Sequence, residues 1–170
     1  MPRMPKRTLR RSTLKAIMRA IVALAWQIRR LFLSLFRIQT RGVKVMVFNR
    51  DGDLLLIRNS YGNSRRFLLP GGGIGLRESP ASAAEREVRE EVGLAIRGLE
   101  PVATYISAGE GKRDTIYLFR AEADGKLSPD PQEINEARFF SLDDLPSATS
   151  PATRRRIAEL ASGAKCDDVW

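Results

Sequence analysis

Three closely spaced glutamates are the residues of this chain with the clearest capacity for chemistry. Glu87, Glu90 and Glu91 stand at positions i, i+3 and i+4, so they project from one side of an α-helix. Like charges at this spacing repel one another by about 0.2–0.5 kcal/mol per pair, a cost that a bound cation would remove. Oxygen-only ligation favours a hard ion such as Mg²⁺, with Mn²⁺ as a substitute. The alternative is a solvated acidic face without a ligand.

A helix must hold these glutamates, and the flanking residues supply its two ends. Ser79 suits an N-cap, Pro80 suits the first helical position, and Gly93 suits the residue just past the end. These signals predict a helix from about Pro80 to Val92. The side shared with the glutamates also carries Ala83 and Ala84, and the side expected to pack inward carries Ala81, Val88 and Val92.

The glutamates belong to a longer pattern that begins at a glycine turn. It reads Gly72, five residues, Glu78, seven residues, Arg86-Glu87-Val88, one residue, Glu90-Glu91, one residue and Gly93-Leu94. This pattern resembles the Nudix box at every defining position. The preceding Leu69-Pro70-Gly71-Gly72 is also similar to that family, although Phe67 stands where many members have Trp. The resemblance covers about residues 41–146.

The resemblance implies an α/β fold, a Nudix-type α/β/α sandwich with a mixed β-sheet. It also implies a hydrolase that cleaves a nucleoside diphosphate linked to another moiety. Such chemistry needs positive charge near the anionic oxygens, so Glu87, Glu90 and Glu91 would hold Mg²⁺ against the pyrophosphate and help to position a water. The alternative function is a nucleotide-binding regulator or a membrane-docked interaction module, but a regulator would be free to lose these acids.

Other residues of the pattern have expected supporting roles. Arg86 lies about one turn before Glu90 and should orient a glutamate, the alternative being a surface ion pair worth at most about 1 kcal/mol. Glu78 would tie down the loop that enters the helix. The glycines should let the backbone approach the metal and the substrate. They are Gly71, Gly72 and Gly73.

The general base is either a glutamate of the pattern or an acid from a distant loop. Outside the pattern, the candidates are Glu133 and Glu136, which precede a predicted strand at Phe139-Phe140-Ser141. Arg65 and Arg66 are candidates to hold substrate phosphate, although exposed loop arginines often have no specific role. The catalytic candidates are therefore Arg86, Glu90, Glu91, Glu133 and Glu136.

The substrate within this class is left open by the sequence. Members of the family directed at ADP-ribose show a proline sixteen residues beyond the last glycine of the box, and that position here is Gly109. The signatures of members directed at coenzyme A and NADH are not evident either. An ADP-sugar, a nucleoside triphosphate, a dinucleotide polyphosphate and a non-nucleotide diphosphate are all compatible with the pattern.

Composition limits the other functional classes. A length of 170 residues with 43% apolar content suits one domain and an appendage. The single cysteine excludes an internal disulfide and suits the cytoplasm, and the absence of histidine excludes imidazole catalysis. The net charge of +9 arises in the first 50 residues, which hold 13 Lys or Arg and no acid. The remainder is acidic, which argues against a specific nucleic-acid partner.

The N-terminal residues are predicted to form a separate basic arm, residues 1–38, ahead of a domain at residues 39–165. An amphipathic helix over Ser12–Arg37 is predicted by apolar residues that recur at the helical period. Its longest uncharged stretch, Ala20 to Ile28, is far short of the 20 or so residues that span a membrane. The helix would pack on the domain, form a homodimer or lie on a membrane surface; an organelle transit peptide is a further alternative.

Strand and turn signals complete the domain. A hairpin joins Val43–Phe48 to Leu54–Ile57 through Asp51-Gly52, and a short strand over Phe67–Leu69 leads into the glycine turn. Further strands are predicted at Glu100–Ser107, Thr115–Ala123 and Ala137–Ser141, with a loop at Ala108–Arg113 and a final helix at Ala152–Ser162.

We predict that deleting residues 1–38 leaves a soluble, active protein that no longer sediments with anionic vesicles. Each basic residue that reaches an anionic leaflet contributes about 1 kcal/mol to binding, whereas the arm supplies none of the predicted site residues. Vesicle sedimentation and hydrolysis would be compared for the full and truncated chains. Equal sedimentation would contradict membrane docking, and an insoluble truncation would show that the arm packs on the domain.

Overall fold

The fold was analysed in a computed structural model of the chain. The structure describes residues 40–61, 65–109, 112–163 and 168–170, all within a compact unit that runs from Arg37 to Trp170. The helix predicted over Ser12–Arg37 and the domain boundary at residues 38 and 39 lie outside the described residues. No helix in the described ranges is long and apolar enough to cross a membrane.

A mixed five-stranded sheet with two helices makes up the domain, as expected for a Nudix-type α/β fold. The elements in chain order are β1 (Thr40–Phe48), β2 (Leu54–Asn59), α1 (Pro80–Val92), β3 (Ala95–Gly109), β4 (Lys112–Asp124), β5 (Ile134–Phe140) and α2 (Pro151–Ser162). The strand order is β3-β4-β1-β2-β5. β1 and β4 are parallel, and the other neighbouring pairs are antiparallel.

The glycine turn lies in a gap between β1 and β2. These strands pair beside their hairpin turn, where Phe48 is opposite Leu54. Farther from that turn, the stretch 68–73 fills the space and hydrogen-bonds to both strands. The bonds run from Val43 N to Gly72 O (2.9 Å), from Val45 N to Pro70 O (3.0 Å) and in both directions between Ile57 and Leu68 (2.9 Å each). The turn is therefore held as part of the sheet.

Alternation along the central strands divides the core into two layers. Val43, Val45 and Val47 belong to the cluster that includes Ala84 and Val88 of α1. The opposite face of β1 contributes Met46 and Phe48 to the other cluster. That cluster also contains Leu54 and Leu56 of β2 and Ile157 of α2. One helix thus covers each face of the sheet, which is a helix–sheet–helix arrangement.

Both predicted helices are confirmed together with their caps. The Ser79 hydroxyl accepts a hydrogen bond from Ser82 N at 3.0 Å, and Gly93 adopts the left-handed conformation that ends α1. α2 has the same arrangement, with Ser150 as N-cap and Gly163 at the end. The predicted faces of α1 were partly wrong. Ala83 and Ala84 are buried in the core, whereas Ala81 is exposed in the first turn.

Strand boundaries differ most from the prediction around the β3–β4 hairpin. The strands run to Gly109 and from Lys112, so most of the predicted loop at Ala108–Arg113 is paired sheet. Local glycines suggested a loop, but the long register between the two strands extends the ladder through them. The predicted strand at Phe67–Leu69 consists of isolated bridges from Phe67 and Leu68.

Replacing Gly71 with Ala should destabilise the fold by about 3 kcal/mol or more. Gly71 has φ +130°, and an added Cβ would lie 2.3 Å from the carbonyl oxygen of Val43. Gly98→Ala is the matched control, because Gly98 has φ +59° with nothing within 4 Å of its Cβ position; it should cost about 1–2 kcal/mol. Urea unfolding of both variants checks the difference. Equal losses of unfolding free energy in the two variants would show that the turn accommodates a side chain at Gly71 without extra strain.

Candidate active site

Arg86 is the centre of the charged network on α1. Its guanidinium donates two hydrogen bonds to the carboxylate of Glu78, from Nε at 2.8 Å and from Nη2 at 2.9 Å. Nη1 donates to Glu87 at 2.8 Å and to Glu90 at 3.1 Å, and Nη2 also donates to Gly73 O at 2.9 Å. Planar, bidentate pairing of this kind fixes both partners in orientation. The arginine therefore holds three glutamates and the glycine turn, and its pKa is raised, chiefly by the bond to Glu78.

Glu78 joins the loop after the glycine turn to the helix. Hydrogen bonds from Arg86 and from Gly75 N, the latter at 2.7 Å, lower the pKa of Glu78 to about 2. The carboxylate is therefore ionised across the whole physiological range. This supports the expectation that Glu78 ties the loop down at the entry to α1.

Glu91 differs from its neighbours because it is buried, with 5% of its surface exposed. Its Oε2 accepts a hydrogen bond from Gly71 N at 2.8 Å. Burial raises the pKa of Glu91 to about 7, while the charge of Lys44 and the bond from Gly71 oppose the rise. The predicted common face of three glutamates is therefore divided between a buried Glu91 and a Glu90 whose side chain is 56% exposed.

Lys44 was not among the residues predicted for the site. Its Nζ donates hydrogen bonds to Leu69 O at 2.9 Å and to Gly71 O at 2.8 Å. Burial lowers the pKa of Lys44, against the opposing charges of Glu91 and Glu87. One feature of the sequence could have identified it: Lys44 alternates with Met46 and Phe48, so it lies on a face of β1 whose other residues are in the hydrophobic core.

Glu133 and Glu136, the acids predicted outside the box, have different surroundings. Burial raises the pKa of Glu133, and the charges of Asp130, Glu87 and Glu90 raise it further. Glu133 therefore lies near the glutamates of α1. Glu136 instead forms an ion pair with Arg58 at 2.8 Å across the β2–β5 ladder.

Gly72 makes room for Glu87, because an added Cβ would lie 2.5 Å from one of that glutamate's oxygens. Within the described ranges, no group of three or more acidic side chains is arranged as a ready metal-binding cluster. Glu87 and Glu90 are paired with Arg86, and Glu91 is bonded to Gly71. The oxygen-only donors and the close approach of the turn nevertheless suit a hard cation. The ligand roles of Glu87, Glu90 and Glu91 stay a prediction.

Arg65 and Arg66 are both exposed, just before the stretch that enters the glycine turn. Arg66 borders a surface depression formed with Thr149 and Arg154 at the start of α2. The glutamates of α1 do not line that depression. Contact of either arginine with substrate phosphate stays a prediction.

Comparisons with known proteins agree with this geometry. The family model of the NUDIX domain matches residues 38–160 of the sequence. The chain is 34% identical over 111 residues to a protein of Stutzerimonas stutzeri named NAD-capped RNA hydrolase NudC, covering 61% of this chain and 37% of that protein. A protein of the same name from Escherichia coli O1:K1 is 29% identical over 117 residues, covering 68% and 45% respectively. The chain therefore spans less than half the length of these relatives.

A solved structure shares both the fold and part of the sequence. It is the MutT NUDIX hydrolase from Burkholderia pseudomallei, which matches with a TM-score of 0.66 and 25% identity. The match covers 72% of this chain and 98% of that one. Since the family pattern extends over most of the chain and coincides with the network around Arg86, the chain belongs to the Nudix family of hydrolases.

Proposed function

We propose that this chain is a Mg²⁺-dependent pyrophosphohydrolase that acts on a nucleoside diphosphate linked to another moiety. Water attacks phosphorus and releases two phosphate-bearing products. The observation that carries the proposal is the network in which Arg86 holds Glu78, Glu87 and Glu90 against the glycine turn. A surface helix with a solvated acidic face would have no need for such an anchored arrangement.

The metal would be held by Glu87, Glu90 and Glu91, with Mn²⁺ able to replace Mg²⁺. When bound, the ion supplies positive charge to the pyrophosphate oxygens and acidifies a water. Gly72 lets the turn lie against Glu87, because a side chain at Gly72 would strike that carboxylate; in the proposal the backbone of Gly72 and Gly73 approaches the phosphates there. Arg86 keeps the glutamates in place, which limits the reorganisation needed as charge develops.

Glu133 is the better candidate outside the box for a general base. Its raised pKa, caused by burial and by nearby acids, increases its affinity for a proton taken from water. Glu136 is less suitable because one of its carboxylate oxygens is already engaged in the ion pair with Arg58. Glu90 and Glu91 stay the alternatives within the box.

A substrate with a nucleotide on each side of the pyrophosphate is favoured among the alternatives. The support is the name of the curated relatives, NAD-capped RNA hydrolase, since NAD is a dinucleotide joined by a pyrophosphate. We propose that the small dinucleotide suffices and that RNA is not required. Hydrolysis of NAD, an ADP-sugar, a nucleoside triphosphate and NAD-capped RNA would be compared at about 200 mM salt, where purely electrostatic RNA binding fades. Turnover of capped RNA alone would contradict this choice.

A regulator that binds nucleotide without hydrolysing it is the second candidate. It is disfavoured because the acids of the box are all present and Arg86 engages two of the predicted ligands. Nucleotide binding without turnover, in both Mg²⁺ and Mn²⁺, would support the regulator.

Glu90→Gln should lower turnover by about 100-fold or more, because it removes a predicted metal ligand. Its melting temperature should change little, since the Glu90 side chain is 56% exposed and like-charge repulsion is relieved. Glu85→Gln is the control, because Glu85 is an exposed acid on the same helix; it should keep parental turnover. Parental activity in Glu90→Gln would show that the metal assignment is wrong.

The metal-free protein should lose stability as pH rises from about 4.5 to about 7. The pKa of Glu91 rises from 4.5 to about 7 on folding, so between these values the folded state binds more protons than the unfolded state. Stability then falls with pH, by as much as about 3 kcal/mol for this group. Urea unfolding in EDTA at pH 5 and pH 7.5 measures the loss. Glu91→Gln should remove most of the pH dependence and Glu85→Gln should keep it; an unchanged dependence in Glu91→Gln would refute the assignment.

A further inference from the structure

Lys44 forms two hydrogen bonds to the glycine turn. From the middle of β1 its side-chain nitrogen donates to the carbonyls of Leu69 and Gly71, at 2.9 and 2.8 Å. These carbonyls belong to the stretch that fills the gap between β1 and β2. The backbone nitrogens of β1 already bind the alternate carbonyls of that stretch, Pro70 O and Gly72 O. Lys44 thus completes the set, so four successive carbonyls from Leu69 to Gly72 are all engaged by β1.

Gly71 connects the contact from Lys44 to the carboxylates of α1. Its carbonyl accepts from Lys44, and its N–H donates to Glu91 of α1. The close approach of Gly71 to Val43 leaves no room for a side chain. A strand, a turn and a helix are therefore joined through one residue, Gly71, with Lys44 at its carbonyl and the buried carboxylate of Glu91 at its N–H.

The charge of Lys44 also matters because Arg86 leaves part of the acidic cluster without a cation. Arg86 pairs with Glu78, Glu87 and Glu90, whereas Glu91 has its described hydrogen bond to a backbone nitrogen. Lys44 interacts electrostatically with Glu91 and with Glu87. It is therefore the positive group placed to offset the buried end of the cluster.

We propose that Lys44 is a positioning residue for hydrolysis, which fixes the glycine turn against Glu91 and offsets the charge of the carboxylates before Mg²⁺ binds. The inference rests on the proposed function, because it assigns Lys44 a role toward the metal of that reaction. Two consequences follow. The turn keeps its shape in the metal-free protein, and Mg²⁺ binds more weakly than it would to the same carboxylates without a neighbouring cation.

A purely structural role for Lys44 has different consequences. If it only pinned the turn, removing it would loosen the carboxylates and weaken Mg²⁺ binding. If it also offsets their charge, removing it strengthens Mg²⁺ binding while turnover falls, since the turn is no longer fixed. The direction of the change in metal affinity therefore separates the two roles.

The experiment compares Lys44→Met, Lys44→Arg and a control, Arg50→Met, which removes an exposed positive charge from the hairpin turn after β1. Mg²⁺ affinity is measured by calorimetry without substrate at pH 8, and kcat and KM are measured at saturating Mg²⁺. Lys44→Met should bind Mg²⁺ about three- to tenfold more tightly. Its kcat should fall about 10-fold or more with KM within threefold of the parent. Lys44→Arg keeps the charge and should have Mg²⁺ affinity within twofold of the parent, as should Arg50→Met.

Weaker or unchanged Mg²⁺ binding by Lys44→Met would overturn the proposal. If Lys44→Met does not fold, as judged by circular dichroism, Lys44→Gln removes the charge but keeps a donor; it should bind Mg²⁺ more tightly by the same factor, and weaker or unchanged binding would overturn the proposal equally. The parent distinguishes this test from that of the proposed function. A parent protein that neither binds Mg²⁺ nor hydrolyses any pyrophosphate contradicts the proposed function. An active parent protein, together with a Lys44→Met variant whose Mg²⁺ affinity and turnover equal those of the parent, contradicts the role of Lys44 alone.

Discussion

The hydrogen bond from Gly71 N to the buried carboxylate of Glu91 is the contact on which the arrangement of the site depends. It joins α1 to the stretch that fills the gap between β1 and β2, and so sets the distance between helix and sheet beside the glutamates of α1. The bond requires a glycine because Gly71 lies against Val43 in a conformation that other residues rarely adopt. It also requires a carboxylate in an apolar layer, at the cost of a pKa raised to about 7. A fold built for stability alone would place an apolar residue there.

The remaining charges of the site are arranged around that contact. Arg86 holds Glu78, Glu87 and Glu90, and Lys44 holds the turn at the carbonyl of Gly71. Acids outnumber these two cations, since Glu78, Glu87, Glu90, Glu91 and Glu133 are all involved. Burial, with a smaller contribution from neighbouring acids, raises the pKa values of two of these glutamates, Glu91 and Glu133. A site with an excess of oxygen donors and elevated carboxyl pKa values is suited to receive a divalent cation and an anionic substrate.

Family membership and the shared fold explain the chemistry in outline, and the chain's own residues carry the finer distinctions. The curated relatives are more than twice the length of the region that matches, so their activity on capped RNA belongs to larger proteins. In this chain the proposal of Glu133 rather than Glu136 as general base rests on the ion pair that Glu136 forms with Arg58 across two strands. Arg66 faces a depression at the start of α2 rather than the glutamates.

Local sequence signals were sufficient wherever structure depends on neighbours in the chain. The bounds of α1 follow from Ser79, Pro80 and Gly93, because caps act within one turn. The spacing of the box similarly predicted a carboxylate site beside a glycine turn, and with it the family and the α/β class. Other features depend on contacts between residues far apart in the chain. The burial of Glu91 depends on the packing of α1 against the sheet, and Lys44 is 27 residues from the carbonyl of Gly71 that it binds. The glycines near the β3–β4 turn indicated a loop, yet a partner strand extended the ladder through them. Periodicity places a side chain on a face, but only the tertiary structure decides which charged groups meet there, because their pairing energy depends on distance and burial.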